Sequence, residues 1–380
     1  MKSPYVFTPG PTSVRENVRL ARAQQCTNPD LDLQFYDFYK GTCEKIGKII
    51  KTSNPIYILS GEGILGLDSA CASLTEEGDR VLVIDNGVFG AGFADFVKIY
   101  GGKPVTYKSD TTKDINIDDL RRFLEKDSDF KYATIVHCDT PSGLLNNIDK
   151  VCPLLKEFNI LTVVDTVASM GGEDIRVDEW KIDIALGASQ KVLSAQPGLT
   201  IVSISEEALR VMENRKKPIM GFYNNLTIWK NYYKEKWFPY TMPISDIVSL
   251  DVALDNILNE GTENVIKRHY KYGNAVRKAI LEYGLELFIE KGQANTITAV
   301  KIPEFIGCDK LIKHMLEEYN VLIAGSFSYM SGKVIRIGHM GENADKDKLT
   351  YLLSILEKSL MDLGYNKKNK SLVEEFLKNL

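Results

Sequence analysis

Three short segments hold residue types that could do chemistry. The first is Ser60-Gly61-Glu62-Gly63-Ile64-Leu65-Gly66, which follows an apolar run and opens a helical pattern. Helix N-termini hold anions through free N–H groups and the helix dipole. The spacing is formally GxGxxG and Asp85 ends the next apolar run, so this turn alone fits a dinucleotide, another phosphate or a plain strand–helix turn. The second is Leu161-Thr-Val-Val-Asp165, where a carboxylate ends an apolar run. Such a group is costly unless a cation faces it, although helix caps and loop ion pairs are its commoner uses. The third runs from Ile184 to Leu193 and contains Lys191 between an apolar run and Val192-Leu193. Lysine is usually a solvated surface group. Held near apolar surroundings, it has a lowered pKa and can form a Schiff base with a carbonyl.

Taken together, the three segments favour one chemistry. A pyridoxal phosphate site needs a lysine for the imine and an acid facing the pyridinium nitrogen. The acid keeps that nitrogen protonated, so the ring can absorb carbanion electrons. The freed lysine then moves the proton between the substrate α-carbon and the cofactor C4′ carbon. Lys191 follows Asp165 by 26 residues, after the phosphate-type turn. A nicotinamide dehydrogenase built on Gly61, Gly63 and Gly66 would leave Lys191 and Asp165 unexplained.

The elements that must position these residues follow from the hydropathy pattern. Residues 1–20 read as an extended arm, punctuated by Pro9-Gly10-Pro11. Apolar runs predict strands at Ile56–Leu59, Arg80–Ile84, Thr134–His137, Leu161–Val164 and Ile182–Leu186. Helical patterns lie between them at Gly66–Leu74, Gly90–Tyr100, Ile117–Leu124 and Asp149–Phe158. This alternation predicts an α/β fold, a mostly parallel sheet sandwiched by helices, with the chemistry at the carboxyl ends of the strands. From about residue 244 two long helices and then short strands and helices predict a smaller α+β C-terminal domain. The expected division is an arm at 1–20, a large cofactor-binding domain at 21–243, and a small domain with its linking helix at 244–380. Lys367-Lys368-Asn369-Lys370 reads as a charged linker to a final amphipathic segment, Ser371–Leu380.

The 380 residues are 44% apolar and 26% charged, ordinary for a globular protein and unlike disordered or collagenous chains. A net charge of −4 gives no overall attraction to nucleic acid or an anionic membrane. Six cysteines without metal-type or disulfide spacing point to a reducing, cytoplasmic compartment, and four scattered histidines suggest no zinc site. No stretch has the roughly 20 apolar residues of a membrane span, and neither a nucleic-acid nor a membrane partner is expected.

Further motifs bear a resemblance. Thr8-Pro-Gly-Pro-Thr12, Asn86-Gly-Val-Phe-Gly90, Asp165-Thr-Val-Ala-Ser169, Gly187-Ala-Ser-Gln-Lys191, Pro197-Gly198 and Gly332-Lys-Val-Ile-Arg336-Ile-Gly338 together resemble class V aminotransferases of pyridoxal phosphate fold type I, the alanine–glyoxylate and serine–pyruvate group. The resemblance implies pyridoxal 5′-phosphate as cofactor, and a small amino acid and a 2-oxo acid such as pyruvate or glyoxylate as substrates. It implies Lys191 as the imine lysine, Asp165 as the pyridinium partner, Phe89 as the ring stacking on the cofactor and Val167 as its opposite face. Thr140 would bond the ring hydroxyl, and Gly61, Glu62, Gly63 and Gln190 would lie at the phosphate. Thr241 would reach the phosphate of a neighbouring subunit, implying a homodimer with shared sites. Arg336 would grip the substrate carboxylate and Gly10 would close the arm over it.

Two departures matter. Glu62 stands where such turns offer a small hydroxyl residue, and Phe238 where a phosphate-reaching tyrosine is common. Pyridoxamine–pyruvate aminotransferase, which uses unphosphorylated B6 as a substrate, also has a glutamate in this turn, but its additional arginine is Phe327 here. That enzyme and 2-aminoethylphosphonate–pyruvate transaminase are the alternatives. Because Gln190 and Thr241 keep hydrogen-bonding groups, the expectation is that Glu62 turns away and leaves them to a phosphate.

Overall fold

The computed structural model describes residues 3–365 and 370–380; Lys367, Lys368 and Asn369 of the expected linker lie outside the described residues. Seven strands make the main sheet: β1 (Ile56–Ser60), β2 (Arg80–Asp85), β3 (Lys103–Lys108), β4 (Tyr132–Val136), β5 (Leu161–Asp165), β6 (Ile184–Ala188) and β7 (Leu199–Ile204). Their order is β1-β7-β6-β5-β4-β2-β3, and only β7 runs antiparallel to its neighbours. Strands β4 to β7 are buried along their whole length, as their uninterrupted apolar runs require. Helices Ile64–Leu74, Val88–Ile99, Ile117–Lys126 and Ile148–Glu157 fill the crossovers.

The strand–helix alternation is as expected, with strands β4 and β6 lying two residues away from their expected starts. Several elements were absent from the sequence reading, among them two strands of the main sheet and a long helix. Strand β3 sits at the sheet edge with a half-exposed pattern and contains Pro104, so it lacks an apolar run. Strand β7 returns antiparallel without a crossover helix before it. Helix Leu33–Ile50 is set by the Asp32 cap on the Gln34 N–H and ends at Lys51 in the left-handed region. The arm is also shorter than expected. Beyond its prolines, Glu16–Arg22 is helical, with an acid in the first turn and bases in the last that complement the dipole.

A second core lies toward the C-terminus. The strands Glu286–Leu287, Ile297–Lys301, Val334–Gly338 and Ala324–Gly325 form an antiparallel sheet. Helices Thr262–Glu282, Cys308–Tyr319, Lys346–Asp362 and Leu372–Lys378 pack around it, burying residues such as Ile280, Leu311, Leu353 and Phe376. Helix Ile244–Glu260 packs on helices Glu16–Arg22 and Leu33–Ile50, and its buried face belongs to the larger core. The arm joins the two cores. Tyr5–Val6 pairs with Val321–Leu322, and the chain then crosses to the Lys191 segment, where the Thr12 N–H donates to the Gln190 carbonyl at 3.1 Å. Among the described residues no helix is long and apolar enough to cross a membrane.

Candidate active site

The parallel register of β5 with β6 sets Asp165 opposite Leu186, three residues before Ser189-Gln190-Lys191. The phosphate-type turn reaches the same place from β1. Thr200 on β7 donates its hydroxyl to the Glu62 carbonyl at 2.6 Å. A Cβ on Gly63 would stand 3.1 Å from Val167 and 3.2 Å from Ala188, so a glycine lets the helix start rest on the ends of β5 and β6. Gly61, Gly63, Asp165, Val167, Gln190 and Lys191 are therefore brought together at the carboxyl edge of the sheet.

Asp165 is buried, and its carboxylate accepts the Val167 N–H at 2.8 Å. Burial pushes its pKa up to about 7, against the pull of that N–H and of Lys191. Burial pushes Lys191 down to about 8, and the Arg336 charge adds to this. The Lys191 Nζ donates to the Pro9 carbonyl at 2.6 Å. Gly10 follows directly, at φ +99°, and any Cβ there would lie 2.7 Å from Nζ. The arm thus lies against the amine.

Arg336 is buried, and burial lowers its pKa to about 10. Its Nε donates to the Gly325 carbonyl at 2.7 Å and Nη1 to the Thr140 carbonyl at 3.2 Å. Two main-chain oxygens thereby fix the guanidinium plane. Phe89 is half-buried and meets Phe327 edge-on, with centroids 6.1 Å apart. The Phe327 ring also lies 5.4 Å from the Arg336 guanidinium.

The expected orientation of Glu62 is corrected. Its carboxylate does not turn away: Oε1 accepts Gln190 Nε2 at 2.6 Å and Oε2 accepts the Ile64 N–H at 3.1 Å. A carboxylate beside an open helix N-terminus and an amide donor takes both, because charge-assisted bonds are the stronger ones. Phe238 is buried in an aromatic cluster, stacked on Tyr36 at 4.5 Å, rather than reaching toward any phosphate. Thr241 is exposed beside a surface depression lined by Arg22, Cys26 and Asp246, and this chain does not bring it to Lys191.

One site residue escaped the sequence reading. Asp139 is buried, accepts the Ser142 hydroxyl at 2.6 Å and the Phe89 N–H at 3.4 Å, and is raised by burial to about 6. It sits beside Thr140, but no feature of its type or spacing marked it out.

The donor set fits the ring end of pyridoxal phosphate. A buried carboxylate that makes no ion pair among the described residues can face a pyridinium, and the neighbouring lysine is depressed toward a reactive amine. The phosphate end fits through the helix N-terminus only in competition with Glu62. Gln190 Oε1 is buried without a partner there.

The family model described as aminotransferase class V matches residues 13–338. The chain belongs to the class V aminotransferases. It is therefore a transaminase. An uncharacterized aminotransferase of Methanocaldococcus jannaschii is 35% identical over 365 residues, covering 96% of this chain and 94% of that one. The serine–glyoxylate aminotransferase of Arabidopsis thaliana is 33% identical, covering 95% and 91%. Among solved structures, the pyridoxamine–pyruvate aminotransferase of Mesorhizobium loti superposes with a TM-score of 0.94 at 30% identity, covering 99% and 97%. The α/β architecture is that of these aminotransferase structures.

Proposed function

We propose that this aminotransferase moves an amino group from a small amino acid, such as alanine or serine, to a 2-oxo acid such as pyruvate or glyoxylate. Pyridoxal 5′-phosphate would be held covalently by Lys191. The observation that carries this reading is that Asp165 and Lys191 meet at the carboxyl edge of the main sheet, where Arg336 of the C-terminal sheet bonds the Thr140 carbonyl and lies close enough to depress the Lys191 pKa. When bound, the cofactor supplies an electron sink that lets the substrate α-proton leave. Asp165 holds a proton on the ring nitrogen. Lys191, with a pKa near 8, is partly neutral at physiological pH and can take and return a proton at Nζ. The Arg336 plane, fixed by the Gly325 and Thr140 carbonyls, orients the substrate carboxylate. Phe89 and Val167 form the two faces of the ring slot, and the Thr140 hydroxyl would bond the ring hydroxyl. The arm at Pro9-Gly10 limits water access to Nζ.

Thr241 supports a homodimeric unit in which it reaches the neighbouring site. Its own chain leaves it exposed, as are the large apolar residues Met220, Phe222 and Trp237. Six free cysteines, five of them buried, support a reducing compartment such as the cytoplasm. The test is a panel of amino donors with pyruvate and glyoxylate as acceptors, following the cofactor absorbance and the amino acid formed. The reading requires turnover with at least one small donor; no turnover with any would overturn it.

A second reading is favoured by one contact. The bond from Gln190 to Glu62 places a carboxylate among the donors a phosphate would use. That arrangement suits a hydroxyl at this position, as in an unphosphorylated B6 vitamer acting as co-substrate with pyruvate.

A further inference from the structure

Phe327 is 41% exposed although it is a large apolar side chain at the site. Single exposed apolar residues are ordinary on a protein surface. This one differs because its ring touches both the Phe89 ring and the Arg336 guanidinium. Its placement is fixed from both sides. The preceding Gly325 carbonyl holds Arg336 Nε, and the Ser326 hydroxyl donates to the Pro141 carbonyl at 2.9 Å. Ser328, next in the chain, has φ +59°, and Met330 is buried. The ring is thus carried by a pinned turn. Tyr329, 6.4 Å from Phe288, extends the aromatic rim.

We propose that Phe327 selects the amino donor by its side chain. This deepens the aminotransferase reading and rests on it. A donor whose carboxylate lies on Arg336 and whose nitrogen lies toward Lys191 must send its side chain out beside these groups, where Phe327 forms the wall. A short apolar side chain gains contact there. A side-chain carboxylate finds no donor on the ring, and Arg336 already spends Nε and Nη1 on main-chain oxygens. A carboxylate set against that ring loses part of its water and meets the negative face of the aromatic, with nothing there to replace the lost hydrogen bonds. The substrate class is therefore small monocarboxylic amino acids, with aspartate and glutamate rejected.

The test compares wild-type holoenzyme with Phe327→Leu and Phe327→Arg. The value of kcat/KM is measured for L-alanine, L-2-aminobutyrate and L-aspartate with glyoxylate as acceptor. Dissociation constants are measured in parallel for 2-methylalanine and 2-methylaspartate, which lack the α-hydrogen and cannot be turned over. Wild type should prefer the monocarboxylic member of each pair. Phe327→Leu should keep that order, and Phe327→Arg should shift it toward the dicarboxylic member by at least ~10-fold, the scale of a single pocket contact. Equal losses for all donors, or a wild-type preference for aspartate, would overturn the proposal. If wild type turns over no donor, the transaminase substrate reading fails, while the two methylated probes still decide the role of Phe327.

Discussion

Replacing Glu62 by serine isolates the electrostatics at the cofactor's 5′ end. The substitution removes a carboxylate that accepts from Gln190 Nε2 at 2.6 Å and from the Ile64 N–H at 3.1 Å. A phosphate needs those same donors. Unit charges about 4 Å apart repel by ~1 kcal/mol in bulk water and ~4 kcal/mol near a protein surface. Glu62 is exposed, so the lower figure applies. A phosphate carrying about two charges then meets ~2 kcal/mol of repulsion, or a factor of ~30 in affinity. The assay is titration of apo-protein with pyridoxal phosphate and with pyridoxal, following absorbance. Taking the ratio of the two dissociation constants cancels changes at Lys191 or in folding. Glu62→Ser should move that ratio toward the phosphorylated form by ~30-fold. A change below about threefold would refute the reasoning. The wild-type ratio separates the two functional readings: tighter pyridoxal phosphate supports the cofactor role, and tighter pyridoxal supports the vitamer as co-substrate.

Lys191 should capture pyridoxal in apo-protein at a rate rising about tenfold per pH unit up to about 8 and levelling above it; a rise continuing to pH 10 would contradict its depressed pKa. Borohydride should fix the label on Lys191, and Lys191→Ala should bind cofactor without turnover. Asp165, with a folded pKa of about 7 above the ordinary carboxylate value, lends apo-protein stability that is full below pH ~4 and lost as pH rises through 7. Asp165→Asn should therefore raise the melting temperature of apo-protein more at pH 8 than at pH 4 while cutting turnover by orders of magnitude; equal shifts at both pH values would contradict it. Arg336→Ala should raise KM for α-amino acids by ~10- to 100-fold, from the roughly 1.5–3 kcal/mol of a charged hydrogen bond. Unchanged KM for every donor would remove Arg336 from carboxylate binding.

The sheet was legible where strands are buried on both faces, because β1, β2, β4, β5 and β6 are written as apolar runs with helices between them. Strand β3 was hidden because an edge needs no such run. The residues Asp165 and Lys191 could be read because charged groups at the ends of apolar runs violate the usual pattern. Asp139 could not, since its burial comes from the loop at Ser142 and the packing of Phe89, neither of which its own neighbours in sequence foretell. The direction of Glu62 was likewise a matter of three dimensions: Gln190, 128 residues away, decides it.

The N-terminal arm acts as a leash between the two cores. Phe7 is tied to the C-terminal sheet by bonds to Leu322 and Gly338, and Thr12 is tied to the Lys191 segment through the Gln190 and Lys191 carbonyls. Only five residue steps separate Phe7 from Thr12. At full extension they span about 17 Å, which caps how far the small core can swing from the lysine. The Pro9 carbonyl that accepts from Nζ lies within this leash, between its two tethered ends, so the length of the leash limits where that acceptor can sit. Each residue inserted between Phe7 and Thr12 would lengthen this leash by about 3.5 Å.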